Sequence, residues 1–234
     1  MRAADSGKRK TGGADMICGE CEGIVIRQTK ALKGRRLLLL FSDAYGKIGA
    51  GTSISERSKS KSALAVRPFT RGRYQLASGR GYVNITSAET IQSYYNFGEN
   101  YGKFLNASLL LEFTGKFLPE EVPAPDVYAL LLTCLDLLGK RKRGFDTISL
   151  VYLVKVLQLS GVFPEAENFR HDELLSGLGF DIVNILVYLM ENPPERMERL
   201  MLDEDKSARL LRLIIQYAEQ HLDVGPLKSV AYDH

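Results

Sequence analysis

The 234-residue sequence has no tryptophan, only three cysteines, three histidines and eight prolines, and no apolar run near the roughly 18–20 residues that cross a bilayer. Each scarcity excludes a class. Three cysteines are too few, and odd in number, for a secreted disulfide scaffold, and they fit a reducing cytoplasm. The polar stretch 1–15 lacks the apolar core of a signal peptide, so neither export nor a membrane anchor is expected. His171, His221 and His234 stand far apart, and no Gly-rich phosphate loop, H-E-x-x-H or G-x-S-x-G occurs, so nothing favours an enzyme. With 45% apolar and 25% charged residues the chain is neither disordered, collagenous nor a coiled coil. A chain this long buries roughly 70% of its unfolded surface and needs no metal to hold a core.

The cysteines themselves offer little chemistry. Cys18 and Cys21 form one C-x2-C, but structural zinc needs four ligands. Cys134 falls on the apolar face of a predicted helix among Leu130, Leu131, Leu135 and Leu138, where it reads as a small core residue. A redox pair normally opens a helix after a strand, whereas this pair precedes a strand. No metal and no cofactor is expected.

What is abundant is charge, unevenly spread. The net charge of +3 divides into +2 for residues 1–15, +8 for 16–95 and −7 for 96–234. Residues 16–95 carry Arg27, Lys30, Lys33, Arg35, Arg36, Lys47, Arg57, Lys59, Lys61, Arg67, Arg71, Arg73 and Arg80 against five acids. A local cationic field attracts a polyanion whatever the far end of the chain carries. A nucleic-acid backbone needs several cations along a path, with apolar faces between them for unstacked bases. Without tryptophan those faces would fall to Phe69, Tyr74 and Tyr82, although Tyr82 fits barrel core as well as surface.

The periodicity changes where the charge does. Gly23–Arg27, Leu37–Phe41, Lys47–Gly51, Arg73–Ala77 and Tyr82–Thr86 are short runs rich in β-branched and aromatic residues, separated by Gly, Ser and basic clusters. Five strands in about 70 residues predict a small barrel of the oligonucleotide-binding (OB) kind, with an SH3-like barrel also compatible. After Tyr95 the pattern is helical: Asn100–Phe117, Asp126–Leu138 and Asp146–Leu159, each Asp placed to cap, then Phe180–Met190, a short Pro194–Leu202 and Ser207–Leu222. Asp203, Glu204 and Asp205 read as a solvated charge run. The expected class is α+β in more than one domain: an extension at 1–15, an OB barrel at 16–95 and an all-α domain at 96–234.

The run Glu22-Gly23-Ile24-Val25-Ile26-Arg27, then Leu39-Leu40-Phe41-Ser42 with Tyr45-Gly46-Lys47-Ile48, then Arg67-Pro68-Phe69-Thr70 after a basic Ser-rich loop, resembles the N-terminal domain of bacterial RecO recombination mediators. Ser87-Ala88-Glu89, His221-Leu222 and Pro226-Leu227-Lys228-Ser229 extend the resemblance over about residues 20–232. It implies an OB barrel that binds single- and double-stranded DNA and anneals complementary strands. With RecR, such a protein helps load RecA onto strands coated by single-strand-binding protein, in the cytoplasm at the nucleoid. The family's DNA-contacting basic positions fall on Arg27, Lys47, Arg57, Lys59, Lys61 and Arg67. The resemblance also implies docking of the acidic, Phe-ended tail of single-strand-binding protein on the helical half, where Lys140, Arg141, Lys142, Arg143 and Lys155 are the basic candidates; alternatively 140–143 is a helix end whose cations complement the dipole. Two departures stand out. Many members carry a four-cysteine zinc module after Gly-x-x-Pro-Glu, but no cysteine follows Gly161-Val162-Phe163-Pro164-Glu165, and Thr52-Ser53-Ile54-Ser55 replaces a Gly- and Ala-rich stretch. An RNA-binding or regulatory OB protein, or a helical docking protein without annealing activity, remain the alternative classes.

Overall fold

The computed structural model describes residues 17–30, 35–55, 61–79, 81–198, 200, 202–222 and 225–230. The chain forms two compact units, one comprising the residues through Tyr95 together with Leu118–Pro125, the other Asn96–Phe117 and the residues from Asp126 onward. A short return segment from the middle of the chain therefore belongs with the barrel.

The first unit is a closed five-stranded barrel: β1 (Gly19–Lys30), β2 (Arg36–Ser42), β3 (Gly46–Thr52), β4 (Thr70–Gly79) and β5 (Tyr82–Ser93). The strand order is β1-β2-β3-β5-β4 with β4 closing onto β1, and only the β3–β5 pair is parallel. A five-residue helix α1 (Lys61–Ala65) lies between β3 and β4. This is the OB arrangement expected from the strand count. Period-2 alternation sets which side chains fill the interior: Val25, Leu38, Leu40, Ile48, Ala50, Tyr74, Leu76, Ile85 and Ala88 form one core cluster. β5 runs seven residues beyond the predicted Thr86. Its later part alternates a buried Ala88 with exposed Glu89 and Ile91, too weak an apolar pattern to be read as strand.

The hairpin between β2 and β3 turns at Gly46, whose φ of 69° lies in the left-handed region. A Cβ there would come within 2.0 Å of the Val122 carbonyl oxygen. The return segment is thus in backbone contact with the barrel, and the Glu121 N–H donates to the Lys47 carbonyl at 2.9 Å.

In the second unit α2 (Tyr101–Phe117), α3 (Pro125–Lys140), α5 (Phe180–Glu191) and α6 (Glu204–His221) accompany a central α4 (Phe145–Leu159). Every residue of α4 from Thr147 to Val154 is buried, as expected of a helix with neighbours all round. The predicted Pro194–Leu202 helix shortens to a 3₁₀ turn over Pro194–Glu198. Asp203 is more than a solvated charge: its carboxylate caps α6 by accepting the Lys206 N–H at 3.2 Å, with Glu204 and Asp205 in the positively polarised first turn. Asp146 does not cap α4. The cap position is Gly144, with no side-chain cap bond, and the Asp146 carboxylate accepts from Asn106 Nδ2 at 2.9 Å while Asn106 Oδ1 accepts from the Ser149 hydroxyl at 2.6 Å. This polar bridge joins α2 to α4.

Candidate nucleic-acid interface

Strand register decides which cations share a surface. Residues opposite one another on paired strands point to the same side, and Val25, Leu40 and Ile48 point inward as one row. Beyond the β-bulge between Val25 and Arg27, the row Arg27–Leu39–Gly49 and the row Thr29–Leu37–Gly51 therefore point outward. Arg27 is exposed, Leu37 is 50% exposed and Leu39 is half-buried. Lys47 stands opposite Phe41 on this outer side of β3. Burial lowers the Lys47 pKa, Glu120 opposes that, and the like charge of Arg27 lowers it further, which puts the two cations within electrostatic reach of each other. Arg35, just before β2, donates to Asn84 Oδ1 on β5 at 2.6 Å, tying the entry of β2 to the entry of β5. Arg36 also turns to the chain, its guanidinium donating to the Ile54 carbonyl.

The topology collects the basic loops at one end. Lys30 pairs with Arg36, Arg36 with Thr52, Gly51 with Asn84, and Gly79 with Tyr82. The segments 30–36, 53–61 and 79–82 all depart from that rim. In an OB barrel these positions hold the β1–β2 and β4–β5 loops that flank the ligand face of β2 and β3. Lys33, Arg57, Lys59 and Arg80 lie outside the described residues, as do the side chains of Lys30 and Lys61.

Other predicted positions lie elsewhere. Tyr74 is fully buried, and its hydroxyl donates to the Ala65 carbonyl at 2.7 Å, so its ring is barrel core and no base can stack on it. Arg71 forms an ion pair with Glu22 at 2.6 Å, and Arg73 reaches Glu20 at 3.5 Å and Glu22 at 3.6 Å. Their charge is compensated on the β1–β4 surface instead of being offered to a polyanion. Arg67 and Phe69 lead into β4 where Thr70 pairs with Ser93, the end away from the Gly79–Tyr82 turn. Phe69 is half-buried with φ 63°; its N–H donates to Val25 and its carbonyl accepts from Tyr94. Of the three aromatics only Tyr82 stands at the cationic rim, 74% exposed.

In the helical unit, Lys140, Lys142 and Arg143 are exposed, but Arg141 is buried. Its guanidinium donates to the carbonyls of Gly144 at 2.7 Å and Leu200 at 2.8 Å, and to that of Met197. It fastens the α3–α4 connection to the 194–200 segment, and so is not available to a peptide. Lys155 donates to the Met190 carbonyl, and burial lowers its pKa. Where the zinc module was expected to be missing, the 163–172 stretch packs through aromatic edges: Phe163 against Phe169 at 5.7 Å and against Tyr217 at 5.2 Å, with Tyr217 stacked on His221 at 4.0 Å. The cysteines sit in three settings: Cys18 exposed, Cys21 in the barrel core with its thiol pushed up to about 12 by burial, and Cys134 buried in α3. Among the described residues no group of three or more His, Cys, Asp or Glu side chains could hold a metal, and no helix is long and apolar enough to cross a membrane.

Sequence reasoning missed Leu37, Leu39, Gly49 and Asn84. None is charged or aromatic, and only the strand register reveals that they lie between the cations.

A closed OB-type barrel with an outward cationic face, followed by a helical unit, defines a protein of the nucleic-acid-binding barrel class. Residues 16–94 match the family described as Recombination protein O N terminal, and residues 98–168 match Recombination protein O C terminal. The chain belongs to the recombination protein O (RecO) family. It is 25% identical over 228 residues to the DNA repair protein RecO of Alkaliphilus metalliredigens, covering 86% of this chain and 93% of that protein. It is 23% identical over 228 residues to that of Caldanaerobacter subterraneus subsp. tengcongensis, covering 87% and 92%. Against that of Listeria welshimeri it is 26% identical over 147 residues, a match spanning 62% of this chain and 56% of the relative. Family membership and these names support a role in DNA repair, and none of them states a catalytic activity.

Proposed function

We propose that this protein is a non-enzymatic recombination mediator that binds single- and double-stranded DNA, anneals complementary strands and, with RecR, helps load RecA onto strands coated by single-strand-binding protein. The observation that carries this reading is the outward face of β1–β3, where Arg27 and Lys47 flank Leu37 and Leu39 below a rim entered by Arg35. Capture is electrostatic: each neutralised phosphate releases counterions, so log affinity should fall with log salt at about −0.7 per contact on a single strand. Backbone contacts carry no base identity, so sequence preference is slight. Annealing follows when two strands are held loosely and their repulsion is screened. Lys140, Lys142 and Arg143 are the residues we assign to the acidic tail of single-strand-binding protein.

The test is a titration of labelled single strands at several salt concentrations. Arg57, Lys59 and Lys61 changed together to Ala should weaken binding and flatten the slope, and unchanged binding would remove the loop from the interface. Annealing of complementary strands without ATP is the accompanying activity assay. A tail peptide titrated against the Lys140/Lys142/Arg143 triple Ala variant tests the docking assignment, and equal affinity for both proteins would reject it. Preference for RNA over DNA of equal length would favour an RNA-binding protein instead.

A further inference from the structure

The outer face of the barrel is cationic but holds no aromatic ring among Arg27, Leu37, Leu39, Lys47, Gly49 and Gly51. A double helix presents only phosphates and groove edges to such a face, whereas a single strand also presents apolar base faces that water solvates poorly. Leu37 is 50% exposed on β2, directly opposite Gly51, and Leu39 is opposite Gly49. The space above Gly49 is open: a Cβ built there meets nothing within 4 Å. Gly49 is not among the glycines with left-handed φ, so neither backbone conformation nor packing requires it. A mid-strand glycine costs roughly 0.5–1 kcal/mol against Ala, and in strands it often marks close approach by another molecule. The two leucines thus form an unobstructed apolar step bordered by Arg27, Lys47 and Arg35.

We infer that this leucine step is the seat for unstacked bases of single-stranded DNA, and that it gives the barrel a preference for single strands over duplex while Arg27 and Lys47 hold phosphates of either form. The occupant follows from charge complementarity together with the apolar strip between the cations. This deepens the DNA-binding reading above and rests on it.

The experiment measures the affinity of the full chain for oligo(dT) and for a duplex of equal length. Leu37→Thr keeps a β-branched residue on the strand and removes the apolar step. Gly49→Val adds a β-favouring side chain that blocks the open space. Each should lower oligo(dT) affinity about tenfold, the scale of one lost base contact, with duplex affinity within twofold and the salt slope unchanged. Arg27→Ala should lower both affinities and reduce the slope. Single-strand affinity unchanged in both Leu37→Thr and Gly49→Val, or equal loss on both substrates, overturns the base seat even if Arg27→Ala acts as stated. No effect from Arg27→Ala, Lys47→Ala and Leu37→Thr alike would remove the DNA-binding face itself. Thermal melting of each variant separates lost binding from lost fold, and Gly49→Ala, whose Cβ enters open space, is the control expected to bind as the parent does.

Discussion

The C-terminal segment offers a quantitative test of how the helical unit is held together. Pro226, Leu227, Lys228 and Ser229 run against α2 and α6, fastened by two carboxylates. Glu219 accepts the Leu227 N–H at 2.9 Å; Glu112 accepts the Lys228 N–H at 2.9 Å, the Ser229 N–H at 2.8 Å and the Ser229 hydroxyl. Lys116 pairs with Glu112 at 3.0 Å and also donates to the Pro226 carbonyl, while Leu227 is buried. Burial alone would raise the Glu112 pKa, but the hydrogen bonds from Ser229, Lys228 and Lys116 outweigh it and hold the carboxyl at about 2 against an ordinary 4.5. At about 1.4 kcal/mol per unit, that difference corresponds to roughly 3 kcal/mol at most, from a side chain only 20% exposed. Because the folded pKa is depressed, this stabilisation is complete above pH 4.5 and is lost as pH falls toward 2. Glu112→Gln should therefore raise the opening equilibrium of the 226–229 segment by about 30- to 100-fold at pH 7, read as lost hydrogen-exchange protection at Leu227, Lys228 and Ser229. The parent protein should lose the same protection between pH 4.5 and 2. Equal protection in parent and variant at pH 7, or protection in the parent that stays flat to pH 2, would refute the carboxylate clamp.

Three further outcomes follow from the geometry. Tyr74→Phe should cost about 1–2 kcal/mol in urea unfolding, by leaving the Ala65 carbonyl without its buried donor, and should leave DNA affinity unchanged. Gly46→Ala should destabilise the barrel by more than about 2 kcal/mol in thermal melting, because a Cβ would come within 2.0 Å of the Val122 oxygen at a φ of 69°. Arg73→Ala should change the salt dependence of single-strand binding by less than one phosphate contact, since Glu20 and Glu22 already compensate it, whereas Arg27→Ala should reduce the slope by about 0.7 in an anisotropy titration.

Much of the architecture is written locally. Short β-branched runs, Gly-rich turns, the shift to three-and-four spacing after Tyr95 and the division of charge at the same place are properties of neighbouring residues, and they specify a cationic barrel ahead of an acidic helical half. The leucines of α3 and the Cys134 among them follow from the same periodicity. Sequence motifs also carried the RecO resemblance, which the two family matches support.

The candidate face was less legible, because pairing and closure act between residues far apart. Arg27, Arg71 and Arg73 look alike along the chain. Closure of β4 onto β1 brings Glu22 against the latter two, while the β1–β2 register sets Arg27 beside Leu39 and Gly49. Tyr74 reads as a stacking surface until the barrel closes around it, and Arg141 reads as one of four exposed cations until three backbone carbonyls converge on it. Composition and periodicity, which are local, determined that this protein has a basic barrel. Only the tertiary structure, through strand register and the partners it delivers from distant segments, decided which charges are left facing outward and which are consumed inside.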